Sequence, residues 1–117
     1  MDLGLKNRVA IVAASSQGIG RATAESFAAE GCIVAMCARS NDSLTKAAEA
    51  IRSQSRTEVL TASLDVGDAT AVHQFAEEVA KKYGRIDICV TNAGGPPAKS
   101  FLATSARDWD GAVRLNL

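Results

Sequence analysis

Net charge is the first thing missing from this sequence: thirteen Lys and Arg residues balance thirteen Asp and Glu. With no global field, nothing steers the chain toward nucleic acid or an anionic membrane, so any anion it binds must be held locally. Long apolar runs are missing too. None approaches the roughly 20 residues needed to span a bilayer. The opening Met1-Asp2-Leu3-Gly4-Leu5-Lys6 lacks a basic stretch followed by an apolar one, so no signal peptide is expected. Cysteine is scarce and odd in number: Cys32, Cys37 and Cys89 include no C-x-x-C pair. They are expected to be reduced, buried apolar residues of a cytoplasmic protein, without a disulfide or a zinc site. There is one tyrosine, Tyr83, and the residue four positions on is Asp87. No repeat, low-complexity tract or linker is present, and 117 residues support a single domain, 1–117, with a small core.

What is present is an alternation of short apolar runs with longer segments of helical period. Arg8 to Ala14 has no polar alternation, as expected of a strand covered on both faces. A helix is expected from Gly18 to Glu30, with Ala22, Phe27 and Ala28 as its apolar positions and Gly31 ending it. Cys32 to Ala38 reads as a second buried strand. Ser40 or Asn41 can then cap a helix whose Leu44, Ala47, Ala48 and Ile51 fall at i, i+3, i+4 and i+7. Glu58 to Ser63 reads as a third strand. Asp68 is placed to cap a third helix, with Val72, Phe75, Ala76, Val79 and Tyr83 on one face and Gly84 at its end. Ile86 to Thr91 reads as a fourth strand, positions 92–103 as irregular chain, and Ser105 with Asp108 as the capping box of a fourth helix.

Four β-α units in a row predict an α/β fold. The expected architecture is a Rossmann-type, three-layer, doubly wound parallel sheet, partial here, with strand order 3-2-1-4. Ligands in such sheets lie beyond the carboxyl ends of the strands. Chemistry is therefore expected near positions 13–20, 38–40, 65–66 and 91–95.

Between the first strand and first helix lies Ala13-Ala14-Ser15-Ser16-Gln17-Gly18-Ile19-Gly20. A helix N-terminus offers unpaired amides and a partial positive charge, and glycines let a pyrophosphate approach the backbone. A Gly-x-Gly at such a turn can also serve tight packing alone. This loop resembles the Thr-Gly-x-x-x-Gly-x-Gly loop of the short-chain dehydrogenase/reductase family, with Ala13-Ala14 standing where the family has Thr-Gly. A methyl group at position 14 disfavours positive φ, so either the backbone there is ordinary, which is the expectation, or the loop is slightly displaced and cofactor binding is weaker. The resemblance implies cofactor contacts from Ser15, Ser16, Gln17, Gly18, Ile19 and Gly20.

The second strand ends in Ala38-Arg39-Ser40, with no acid to bind a ribose diol. An arginine at this place accommodates a 2′-phosphate, and its guanidinium matches phosphate bidentately at any relevant pH. NADP(H) is thus preferred over NAD(H), unless Arg39 is only a solvated strand-end cation. The absence of the acid also speaks against a methyltransferase-like domain. Leu64-Asp65-Val66 resembles the family's Asp-Val, which implies that Asp65 takes the adenine amino group and Val66 packs on the base. Asp65 can instead form a local Asx turn. Thr91-Asn92-Ala93-Gly94 resembles the family's Asn-Asn-Ala-Gly. There Asn92 can tie the fourth strand to its neighbours, while Ala93 and Gly94 leave room for the adenosine ribose.

Trp109-Asp110-Gly111-Ala112-Val113-Arg114-Leu115-Asn116 resembles the family's fourth helix, whose asparagine belongs to the catalytic tetrad. Asn116 is accordingly the catalytic candidate, although by itself it is one polar residue near a helix end. The family's Ser and Tyr-x-x-x-Lys pair has no counterpart here, and Tyr83 sits at a packing position. The resemblance implies that these residues follow Leu117, that the chain is a shortened form or piece of a longer one, and that 117 residues alone are inactive. It further implies an oxidoreductase interconverting a ketone and a secondary alcohol, similar to the 3-oxoacyl acyl-carrier-protein reductase branch and assembled as a homo-oligomer. A catalytically silent dinucleotide-binding or scaffold module is the alternative. His73, Lys81, Lys82, Lys99 and Ser100 are assigned no role.

Overall fold

The computed structural model describes residues 1–116. Its core is a four-stranded sheet of β1 (Val9–Ala13), β2 (Ile33–Ala38), β3 (Val59–Ser63) and β4 (Ile88–Val90). The strands are all parallel and lie in the expected order β3-β2-β1-β4. The helices are α1 (Gly18–Ala29), α2 (Asn41–Ser55), α3 (Ala69–Tyr83) and α4 (Ala106–Asn116), with one 3-10 turn at Phe101–Ala103.

The unbroken apolar character of β1 and β2 follows from their two covered faces. Val12, Val34 and Met36 pack with Ala24 and Ala28 of α1 and Leu44, Ala48 and Ile51 of α2. The intervening Val9, Ile11, Ala35 and Cys37 face Phe75 and Val79 of α3. Side chains alternate across a strand, so two apolar layers require apolar residues at every position. The result is the three-layer arrangement of a Rossmann-type fold.

Each helix begins and ends where its local chemistry dictates. The Ser40 hydroxyl accepts from the Ser43 amide at the start of α2, and the Asp68 carboxylate accepts from the Ala71 amide at the start of α3. Ser105 and Asp108 form a reciprocal box at α4: each side chain accepts from the other's amide, at 3.2 and 2.8 Å. Gly31 and Gly84 follow α1 and α3 with positive φ, where glycine pays no steric penalty.

Three expectations need correction. In α1 the buried face is Gly20, Ala24 and Ala28, at a spacing of four, whereas Ala22 points to solvent. Small residues at that spacing let the helix lie close against the sheet. In α3 Val72 is exposed, because it borders an open hollow between α3 and the sheet. Among the described residues β4 spans only Ile88–Val90 and pairs only with β1; Cys89 borders an open hollow beside α3 and is exposed, while Cys32 and Cys37 are buried. Burial pushes both buried thiols up from the ordinary range. No helix of the described residues is long and apolar enough to cross a membrane.

The β1–β4 register is anchored at its lower end by Asp87. Its carboxylate accepts from the Val9 amide at 2.9 Å and from the Arg85 guanidinium at 2.6 and 2.8 Å, with Arg8 at 3.4 Å. The Arg85 hydrogen bond first, and the Val9 amide second, lower its pKa to about 2. A folded-state value below the unfolded value means stability that is present above the unfolded pKa and lost as pH falls. Asp87→Asn should therefore lower the denaturant midpoint near neutral pH. The gap from wild type should close as pH falls from about 4 toward about 2; a pH-independent gap in the unfolding titration refutes this linkage.

Candidate functional site

The turn from β1 into α1 is built around one unusual residue. Ala14 has φ +48, in the left-handed region, so the ordinary backbone expected at this position is not what forms. Such a conformation costs an L-residue about 1–2 kcal/mol and persists because its surroundings impose it. Immediately after it, the buried Ser15 donates its hydroxyl to the Val12 carbonyl at 2.8 Å and its amide to the Cys37 carbonyl at 3.1 Å. Both of its donors are used within the fold, and Ser15 shapes the loop instead of facing the cleft described below.

Gly20, one turn into α1, is buried for a related reason. A Cβ there would fall on the Ala14 carbonyl oxygen and 2.9 Å from the Asn92 side-chain nitrogen. Asn92, just beyond β4, donates that nitrogen to the carbonyls of both Ala13 and Ala14, each at 3.3 Å. Asn92 thus ties β4 to the turn, as the sequence suggested, and Gly20 makes the close approach possible. Gln17 caps α1 through its backbone without a side-chain hydrogen bond. The first amides of α1 remain without side-chain acceptors at the positive end of its dipole. Gly18 has φ +60 and open space around it.

A cleft of about 670 Å³ opens above these amides. Ala14, Ser16, Gln17, Gly18 and Ile19 form one side of it. Ala38, Arg39 and Ser40 close the second, Leu64, Asp65 and Val66 the third, and Asn92 to Gly95 the fourth. The carboxyl ends of all four strands therefore converge on one hollow, as the topology requires. Arg39 is exposed there and makes no ion pair among the described residues. Its carbonyl accepts from the Ser63 hydroxyl at 3.0 Å, which fixes the backbone behind the guanidinium. Asp65 does form the Asx turn, accepting from the Gly67 amide at 2.8 Å, and it lines the cleft as well.

Asn116 lies apart from Arg39, in a second hollow of about 370 Å³ between α3 and the exposed end of the sheet. Val66, Asn92, Ala93 and Leu115 border both hollows. The Asn116 amide donates to the Ala112 carbonyl at 2.9 Å. Ser40 falls within the expected positions 38–40, whereas Leu115 was not singled out as a lining residue from sequence. Leu115 precedes Asn116 directly, but without the angle of α4 nothing marks it as inward.

The remaining ionisable residues offer little chemistry. Burial, then the Glu58 carboxylate, pushes the Tyr83 phenol above its usual value, the opposite of what proton transfer near neutral pH needs. His73 pairs with Glu77 on the exposed face of α3, and Lys99 with Asp108. No cluster of three or more potential metal ligands exists among the described residues. The cleft thus offers anion-binding amides at its floor, a free guanidinium at one end, and small residues between them. An elongated ligand carrying phosphate at two places suits it.

Residues 8–117 match the short chain dehydrogenase family. The chain is 36% identical over 103 residues to meso-2,3-butanediol dehydrogenase of Serratia marcescens, covering 88% of this chain and 40% of that protein. It is 34% identical to a 3-oxoacyl-acyl-carrier-protein reductase of Thermotoga maritima over 116 residues, 97% of this chain and 46% of the relative. The chain accordingly spans less than half the length of these relatives. Among solved structures, L-sorbose reductase from Gluconobacter frateurii, complexed with NADPH and L-sorbose, superposes with a TM-score of 0.87 at 34% identity. That superposition covers 98% of this chain and 44% of the reductase.

Gly20→Ala tests the crowded junction directly. The added methyl must displace a backbone carbonyl, and overpacking of this kind costs about 1–3 kcal/mol. An unfolding free energy unchanged from wild type would show that the turn can yield.

Proposed function

The chain belongs to the short chain dehydrogenase family, and we propose that its cleft holds NADP(H) in preference to NAD(H). The observation that carries this reading is Arg39, exposed and without an ion pair among the described residues, at the end of β2 on the rim of the cleft. Its guanidinium is matched to the 2′-phosphate, with Ser16 and Ser40 alongside it. The diphosphate rests on the amides of Gly18, Ile19 and Gly20. Asp65 and Val66 receive the adenine. Ala93 and Gly94, beside the open backbone of Gly95, admit the ribose. The fit is steric as well as electrostatic, since a Cβ at Gly18, Gly94 or Gly95 would meet no protein atom within 4 Å.

The nicotinamide supplies or accepts a hydride when bound, so the parent protein is an oxidoreductase interconverting a ketone and a secondary alcohol. These residues bind and orient the cofactor. Asn116, bordering the second hollow, is the catalytic contribution of this half, through its side-chain carbonyl. Tyr83 is the single tyrosine, and Asp87 four positions on cannot replace a lysine. The proton-transferring groups thus come from outside these residues, and we read 1–117 alone as a dinucleotide-binding domain without turnover. We read the parent protein as a cytoplasmic homo-oligomer; exposed Phe101, Leu102, Trp109 and Val113 are apolar surface available for burial against further protein.

Arg39→Asp in the full-length protein tests cofactor choice. Hydrogen bonds to charged groups contribute about 1.5–3 kcal/mol. NADPH binding should therefore weaken about ten- to hundredfold, while NADH binding changes little. Equal losses for the two cofactors, measured by titration calorimetry, would mean that Arg39 does not touch the 2′-phosphate.

A further inference from the structure

Among the described residues, three non-glycine positions have positive φ: Asn7, Ala14 and Arg56. Only Ala14 borders the cleft. We propose that Ala14 is an affinity-setting residue: its enforced left-handed backbone lowers the fraction of molecules whose phosphate loop is ready for the dinucleotide. The proposal rests on the reading that this cleft binds NADP(H).

The forces on Ala14 come from both sides. Its carbonyl is held by an Asn92 amide shared with the Ala13 carbonyl, at 3.3 Å to each, near the long end for such bonds. The next residue, Ser15, is fastened by two shorter bonds to Val12 and Cys37. Gly20 stands against the same Ala14 carbonyl. Relaxing Ala14 to negative φ would swing that carbonyl off Asn92 and carry it toward or away from Gly20. Ser15 is anchored to two strands, so the adjustment has to be absorbed by the chain around it. Ser16, Gln17 and Gly18 are that chain, and they line the cleft.

A strained geometry competes with relaxed ones more closely than an unstrained geometry does. The ligand binds only the formed loop, so its apparent dissociation constant rises as the formed fraction falls. Glycine at this position would adopt positive φ at no steric cost, and the formed loop would predominate before the ligand arrives. The gain concerns the diphosphate cradle common to both cofactors, so it is independent of the 2′-phosphate.

Arg56 provides the control. It has φ +54 as the C-cap of α2 and does not line the cleft. Ala14→Gly and Arg56→Gly, each in the full-length protein, are compared by calorimetric titration with NADPH and with NADH, and by thermal unfolding without ligand. Ala14→Gly should tighten both cofactors by roughly three- to tenfold, with an unfolding midpoint at or above that of wild type. Arg56→Gly should leave both dissociation constants unchanged. Ala14→Gly affinities within about twofold of wild type, tightening of one cofactor only, equal tightening by Arg56→Gly, or loss of folding by Ala14→Gly would each overturn the proposal. If wild type itself binds neither dinucleotide, the functional reading fails first, a result distinct from all of these.

Discussion

Where β1 gives way to α1, a backbone carbonyl, a glycine with no side chain and an asparagine amide share a single contact point. Ala14, Gly20 and Asn92 come from three different segments, and each is placed by the other two. The amide of Asn92 satisfies carbonyls that the turn has removed from the sheet. Gly20 lets α1 begin close to the end of β1, which brings the helix's unpaired amides up to the cleft floor. Without that junction the four strand ends would still converge, but nothing would present a positive helix end to them.

The sheet around this junction is asymmetric in what it spends its residues on. β1 and β2 are flanked on both sides and on both faces, and their side chains are almost wholly removed from water. Among the described residues β3 and β4 each have one neighbour and are only partly buried. The cleft opens above the middle of the sheet, walled by residues that follow the two buried strands and by the turns that follow the two outer ones.

Much of this was readable beforehand, and the reasons differ by element. Strands one and two announced themselves by uninterrupted apolar runs, because a two-faced strand has no solvent side to alternate with. Helix ends at Ser40, Asp68, Ser105, Gly31 and Gly84 were visible because capping is a local matter of one side chain and a nearby amide. The orientation of α1 was not readable. Alanines at 22, 24 and 28 are chemically equivalent, and which of them faces the sheet depends on where Gly20 allows contact. β4 was overextended for a similar reason, since its apolar residues look alike whether one or two strands lie beside them. Ala14 was misjudged on sound grounds: residue preference predicts ordinary backbone, and tertiary contacts from Asn92 and Gly20 overrode it. Of the cleft, the residues at the four strand ends were found from topology and motif together. Ser15 is wholly buried and shapes the loop from behind, and Gly20 makes the close approach to Ala14 and Asn92, placements that only the three-dimensional structure reveals.

Asp87 adds a division of labour to this architecture. It fastens the entrance of β4 to the entrance of β1, at the pole of the sheet opposite the ligand. Alignment between these strands is thereby settled at the base by Asp87, and among the summit residues Asn92 shares that duty through the carbonyls of Ala13 and Ala14. The other summit residues can adapt to whatever molecule the cleft must accommodate, while the base and Asn92 preserve the frame. A lineage can accordingly retune its ligand preference without reopening the question of how its strands line up.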